Sequence, residues 1–221
     1  MKEPNRERKS DIKYNITLND EQKEAKRLII ENQVVVITGF AGTGKSLISA
    51  QVALDFLFKK QCENIYVTRA AIEVGKTLGF LPGGLDDKFN PYLEALIENL
   101  YKCKDKVTID KIVADGSIKA LPVQFIRGKT VDDILIIEEA QNLTKGEILA
   151  IITRLGKTGK MIFNGDLQQC DIKNNGEING LQYLIELSKK IEEIKWVKLK
   201  YNHRSDLVGK VLDYEFDKTV S

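Results

Sequence analysis

Apolar residues in this chain gather into short dense runs, each separated from the next by a longer stretch with helical spacing. The runs are Val34 to Thr38, Ile65 to Thr68, Val123 to Ile126, Ile134 to Ile137, Met161 to Asn164 and Trp196 to Leu199. Their length and Val/Ile content predict strands of a sheet buried on both faces. Amphipathic stretches predict helices at Lys45–Phe58, Pro91–Tyr101, Lys145–Leu155, Asn179–Lys190 and Asp206–Tyr214, with Pro91 in a first helical position. A further helix runs to Glu31, capped by Asn19 or Asp20, with Ala25, Leu28 and Ile29 as its inward stripe. Strands alternating with helices argue an α/β fold, a mostly parallel sheet covered on both faces.

Two segments break the alternation. Met1 to about Asn15 is charged and poor in apolar residues, and is expected to be a flexible N-terminal segment, with one domain from residue 16 to 221. Gly75 to Asn90 concentrates Gly75, Gly79, Pro82, Gly83 and Gly84, which reads as a functional turn-rich insertion or as a plain connector.

The first strand runs straight into Gly39-Phe40-Ala41-Gly42-Thr43-Gly44-Lys45-Ser46, with Leu47 opening an apolar helix. This G-x-x-x-x-G-K-[ST] spacing is that of a phosphate-binding loop. Glycines let backbone N–H groups turn inward toward phosphate, and the helix N-terminus adds its positive dipole. Lys45 would meet the β- and γ-phosphates of ATP, and the Ser46 hydroxyl would ligate Mg²⁺. The strand Ile134–Ile137 ends in Glu138-Glu139. An acid pair at a strand's C-terminal end suits Mg²⁺ (Glu138) and water positioning (Glu139), or else a solvated edge. The expectation is that this strand neighbours the first one and that both ends face one nucleotide. Met161–Asn164 likewise leads into Gly165-Asp166-Leu167-Gln168-Gln169. There Gln169 would sense the γ-phosphate and Asp166 join the metal-water network, or Asp166 simply closes a turn.

Composition narrows the field. At 221 residues, 43% hydrophobic and 30% charged, the chain suits one substantial α/β core. A net charge of +2 gives no broad basic footprint for nucleic acid, so such binding would need a local patch. Three scattered cysteines and a single histidine argue against a disulfide framework, a zinc site or a Ser-His-Asp scheme. No apolar signal core opens the chain and no stretch reaches the ~20 residues that span a bilayer, so a cytoplasmic protein is expected.

Taken together, these segments resemble the PhoH-like family within the superfamily 1 helicase ATPases. The resemblance runs from about Leu18 onward. It rests on the phosphate loop, Thr68-Arg69-Ala70, Gly79-Phe80-Leu81-Pro82-Gly83, Pro91-Tyr92 and Arg127-Gly128-Lys129-Thr130. It continues through Glu139-Ala140-Gln141-Asn142, Thr153-Arg154-Leu155-Gly156 and Gly165-Asp166 with Gln169. Two departures stand out: Glu138 where Asp is usual, which would shift the metal water, and Ala71 where a proline is familiar.

The resemblance implies a RecA-like P-loop NTPase core, hydrolysing ATP with Mg²⁺ and coupled to RNA or single-stranded DNA. It also implies that Gln22 reads the adenine edge, the alternative being a solvated glutamine on a helix face. Leu199 to Ser205 is similar to the family's L-x-x-N-x-R-S, in which Arg204 reaches the γ-phosphate or pairs with an acid. His203 is expected at the surface. Because superfamily 1 enzymes use two lobes and this chain has length for one, a homo-oligomer, a hexameric ring, is expected, with Arg69, Arg127, Arg154 and Arg204 as cross-interface candidates. Lys76, Lys88, Arg127 and Lys129 would line a nucleic-acid track, with Phe80, Phe89 or Tyr92 stacking bases. An ATP-binding assembly module acting on protein partners is the alternative function.

Overall fold

The computed structural model describes residues 13–70, 85–170 and 178–203 with positions 207 and 214; for residues 85–92 it describes backbone only. A parallel sheet of β1 (Val34–Thr38), β2 (Ile65–Arg69), β3 (Ile118–Ala120), β4 (Ile134–Glu138), β5 (Lys160–Gly165) and β6 (Ile194–Lys198) runs in the order β3-β2-β4-β5-β1-β6. The helices are α1 (Asp20–Glu31), α2 (Lys45–Phe58), α3 (Leu85–Cys103), α4 (Lys106–Ala114), α5 (Val123–Ile126), α6 (Lys145–Ile152) and α7 (Gly180–Ser188).

Strand alternation divides the core between two faces. Val35, Ile37, Ile65, Val67, Ile136 and Ile162 point toward α1, α2, α3 and α4. Val34, Val36, Leu135, Ile137, Met161 and Phe163 point toward α5, α6 and α7. With both faces covered, the central strands lose their polar side, which is why they read as continuous apolar runs. Helix α2 is buried through Ile48–Asp55, including Ser49 and Gln51, so it lacks the polar face of a surface helix.

The fold agrees with the expected α/β architecture, with particular differences. Val123–Ile126 is a helical turn, not a strand. Pro122 opens it by accepting from the Phe125 N–H at 2.9 Å, and it buries Ile126 while leaving Phe125 half exposed. The strand pairing with β2 is instead Ile118–Ala120, in register with Ile65–Val67. Helix α3 begins at Leu85, so Pro91 lies inside it and the end of the expected insertion is helical. Helix α4, capped by Asp105 on the Thr108 N–H, lies in a stretch where no element was expected. Strand β6 starts at Ile194, and α6 stops at Ile152. Strand β5 stands between β1 and β4, pairing Val34 with Met161 and Ile136 with Ile162, so the phosphate-loop strand and the acidic strand are not neighbours.

At the chain start, Tyr14 donates to Asp55 Oδ1 at 2.5 Å and the Asn15 N–H to Cys103 O at 3.0 Å, which docks the end of the segment expected to be flexible. Residues 1–12, Gly75 to Gly84 with Lys76 and Phe80, Arg204, and the expected helix Asp206–Tyr214 apart from positions 207 and 214 lie outside the described residues. The side chains of Lys88, Phe89 and Tyr92 do as well.

Candidate functional site

The C-terminal ends of β1, β4 and β5 open into a cleft of about 640 Å³, the position where parallel sheets present ligand sites. Ala41, Gly42, Gly44, Lys45, Ser46 and Leu47 line one wall. Gly44 ends the loop at φ +90°, and a β-carbon there would come within 2.5 Å of Gln22 Nε2. Gly44 is the N-cap of α2 and offers no side-chain cap, so first-turn N–H groups of the helix can face an anion. The Lys45 ammonium reaches back over the loop, donating to Gly39 O at 2.6 Å and Phe40 O at 3.1 Å. Gly39 and Phe40 themselves line a smaller cavity of about 150 Å³ shared with Asp166, and Thr43 turns inward to donate to Phe40 O at 2.9 Å.

The Ser46 hydroxyl donates to Glu138 Oε2 at 3.0 Å, which brings the end of β4 onto the first turn of α2. The other Glu138 oxygen accepts from Asn164 Nδ2 at 2.9 Å. Burial raises the Glu138 pKa above the usual carboxylate range, opposed by these two hydrogen bonds. Ser46 and Glu138 supply hard oxygen donors of the kind Mg²⁺ selects, with room for phosphate and water to complete its shell. Among the described residues no group of three or more His, Cys, Asp and Glu side chains is placed to hold a metal ion.

Glu139 follows in a left-handed backbone conformation, φ +54°, unusual for a residue with a side chain. It faces the cleft. Its Oε1 pairs with Arg69 Nη2 at 3.5 Å and its Oε2 accepts from Gln141 Nε2 at 2.6 Å. Buried Gln141 also donates to Gln169 O at 3.2 Å and accepts from the Asp166 N–H at 3.0 Å, tying the ends of β4 and β5 together. Asp166 closes an Asx turn, accepting from the Gln168 N–H at 3.0 Å, so the turn reading holds for one oxygen. Its Oδ2 is buried without a partner among the described residues. Gln169 is exposed on the cleft wall.

Gln22 is buried rather than solvated. Its Oε1 accepts from the Asn19 N–H at 3.1 Å as the α1 capping box, and its Nε2 donates to Thr43 O at 3.1 Å and meets His203 Nε2 at 3.0 Å. His203 is exposed as expected, yet it lines the cleft, and its N–H donates to Gly42 O at 3.0 Å. Glu21 Oε2 accepts the N–H groups of Lys200 and Tyr201 at 2.9 and 3.1 Å, fastening this segment to α1.

Of the candidate cross-interface arginines, Arg69 lies beside Glu139 of its own chain. Arg127 and Arg154 sit together before β4 and β5, at the sheet's opposite end, with Arg154 Nη1 donating to Arg127 O at 3.3 Å. Two residues at the heart of the site, Asn164 and Gln141, carried no expected role. A polar side chain closing the apolar run at Asn164 is the signal that could have found one of them.

The PhoH-like protein family model matches residues 16–215. A PhoH-like protein of Mycobacterium tuberculosis (strain ATCC 25618 / H37Rv) is 36% identical over 202 residues, covering 89% of this chain and 56% of its own length. One from Bacillus subtilis (strain 168) is 35% identical over 200 residues, covering 89% of this chain and 62% of its own. The chain therefore spans little more than half of these relatives. The crystal structure of the UvsW helicase from bacteriophage T4 superposes with a TM-score of 0.51 at 15% identity, covering 83% of this chain and 60% of that one; it shows a shared fold. With a RecA-like sheet and a phosphate loop facing a strand-end carboxylate, the chain has the architecture of a P-loop nucleotide hydrolase, and it belongs to the PhoH-like family.

Proposed function

We propose that this chain is a Mg²⁺-dependent ATP hydrolase whose turnover is coupled to binding of RNA or single-stranded DNA. The observation that carries the reading is the 3.0 Å hydrogen bond from Ser46 to Glu138, because two oxygens that meet beside the phosphate loop would suit one shared ion. In this reading the backbone from Gly39 to Leu47 cradles the phosphates, and Lys45 leaves its loop carbonyls for the β- and γ-oxygens. Ser46 and Glu138 hold Mg²⁺, which when bound neutralises developing phosphate charge. Glu139 orients the attacking water, while Gln169 and Arg204 contact the γ-phosphate. Gln22 addresses the adenine edge once its amide exchanges His203 for the base.

The described lobe leaves its cleft open on one side, which a further body would close. We assign that role to a second copy in a homo-oligomer, a hexameric ring, with Arg127 or Arg154 of one copy facing the nucleotide of the next. A cytoplasmic setting suits a chain whose three cysteines are widely spaced. No described helix is long and apolar enough to cross a membrane.

The test is phosphate release by wild type, Lys45→Ala and Glu139→Gln, with and without single-stranded oligonucleotides at several salt concentrations. Both variants should lose nearly all turnover, with Glu139→Gln still binding nucleotide. Wild-type turnover indifferent to single strands, with ATP-dependent assembly intact, would favour the protein-directed assembly module instead.

A further inference from the structure

Both carboxylate oxygens of Glu139 are engaged, and the two engagements are unequal. Gln141 is buried and locked by three hydrogen bonds, of which the one to Glu139 is 2.6 Å long. The Arg69 contact is 3.5 Å long between side chains that are 37% and 35% exposed. A carboxylate held from both sides has poor freedom to turn an oxygen toward water, so one arm must yield, and Arg69 is the weaker. Arg69 also ends β2, at the rim of a side cavity of about 120 Å³ lined by Ser46, Glu139, Leu96 and Asn99. This cavity borders the main cleft along Ser46, Glu138 and Glu139, so an anion there meets the guanidinium without crossing the phosphate loop.

We infer that Arg69 is a releasable latch on Glu139, opened when the phosphodiester backbone of a single-stranded nucleic acid draws the guanidinium away at the end of β2. The inference rests on the water-positioning role proposed for Glu139 and supplies the coupling between strand binding and hydrolysis. Arg69 is thus a positioning residue: it restrains the carboxylate and gives it up to a competing anion.

The experiment compares steady-state ATP turnover of wild type, Arg69→Gln, Arg69→Lys and Glu139→Gln, each with and without an oligouridylate. Loss of an exposed ion pair should raise the basal kcat of Arg69→Gln by up to about fivefold at unchanged KM for ATP, with no further gain from the oligonucleotide. Arg69→Lys, which keeps a cation, should give a smaller rise and retain part of the stimulation. Basal kcat at or below wild type in both Arg69 variants, with nucleotide affinity intact, overturns the latch. Full turnover by Glu139→Gln would instead overturn the underlying role of Glu139, so the two failures are told apart. Arg69 is more than one-third exposed, so neither substitution opens the core.

Discussion

Replacing Lys160 with methionine tests whether a buried cation holds α1 in place. Lys160 opens β5 and is 9% exposed. Its ammonium donates to Ile29 O, Ile30 O and Asn32 O at 2.9, 2.9 and 2.8 Å, satisfying carbonyls at the end of a helix with no basic residue in its last turn. Hydrogen bonds to a charged donor contribute about 1.5–3 kcal/mol each, but these three share one dehydrated ammonium and do not add. Burial of the ammonium also pushes the lysine pKa below its ordinary range. Methionine preserves most of the stem and its packing near Phe56, whose ring centre is 5.1 Å from Nζ. We expect Lys160→Met to cost about 2–3 kcal/mol, lowering Tm by roughly 4–12 °C for a chain of this size. In urea the midpoint should fall at unchanged slope. A variant as stable as wild type, or more so, would mean that dehydration cancels the bonds, and the capping argument would fail.

Three further outcomes follow from the geometry. Two backbone N–H donors hold the Glu21 pKa below its ordinary 4.5, so its contribution is complete above that value and vanishes as pH falls through the depressed folded-state value. The Tm gap between wild type and Glu21→Gln should be full near about pH 6 and close in strong acid; a gap independent of pH would contradict this. Gly44→Ala places a methyl 2.5 Å from Gln22 Nε2 at a positive φ, and should weaken nucleotide binding at least ~10-fold by calorimetry, about 1.4 kcal/mol. Burial pushes the thiols of Cys62 and Cys103 up to about 12, so iodoacetamide at mildly alkaline pH should modify them only after unfolding, a result read by mass spectrometry.

What could be read from the residues alone was whatever local chemistry dictates. β1 and α2 fall on their expected bounds because a β-branched run, a glycine loop and an apolar helix each obey short-range rules. Val123–Ile126 misled because four successive apolar residues fit a buried strand or one helical turn equally well, and the distinction came from Pro122 and tertiary packing. The three-residue β3 was too short to announce itself. The meeting of Ser46, Glu138 and Glu139 at one cleft was legible because motif spacing sets them at the ends of their strands and loop. Asn164 and Gln141 were not, because their roles depend on β5 lying between β1 and β4, a matter of strand order. Gln22 was read as either ligand-facing or solvated, whereas the structure gives its amide protein partners on both atoms.

At the α1 end of the cleft the Gln22 amide couples three parts of the structure. One amide closes the first turn of a helix, props the phosphate loop through Thr43 and grips the imidazole of the segment beyond β6. In the reading proposed above, the side chain that would meet the base is also the one that closes the helix turn and props the loop. Any substitution of Gln22 therefore disturbs the start of α1 and the phosphate loop together, so a change at the cleft wall here carries a cost in folding.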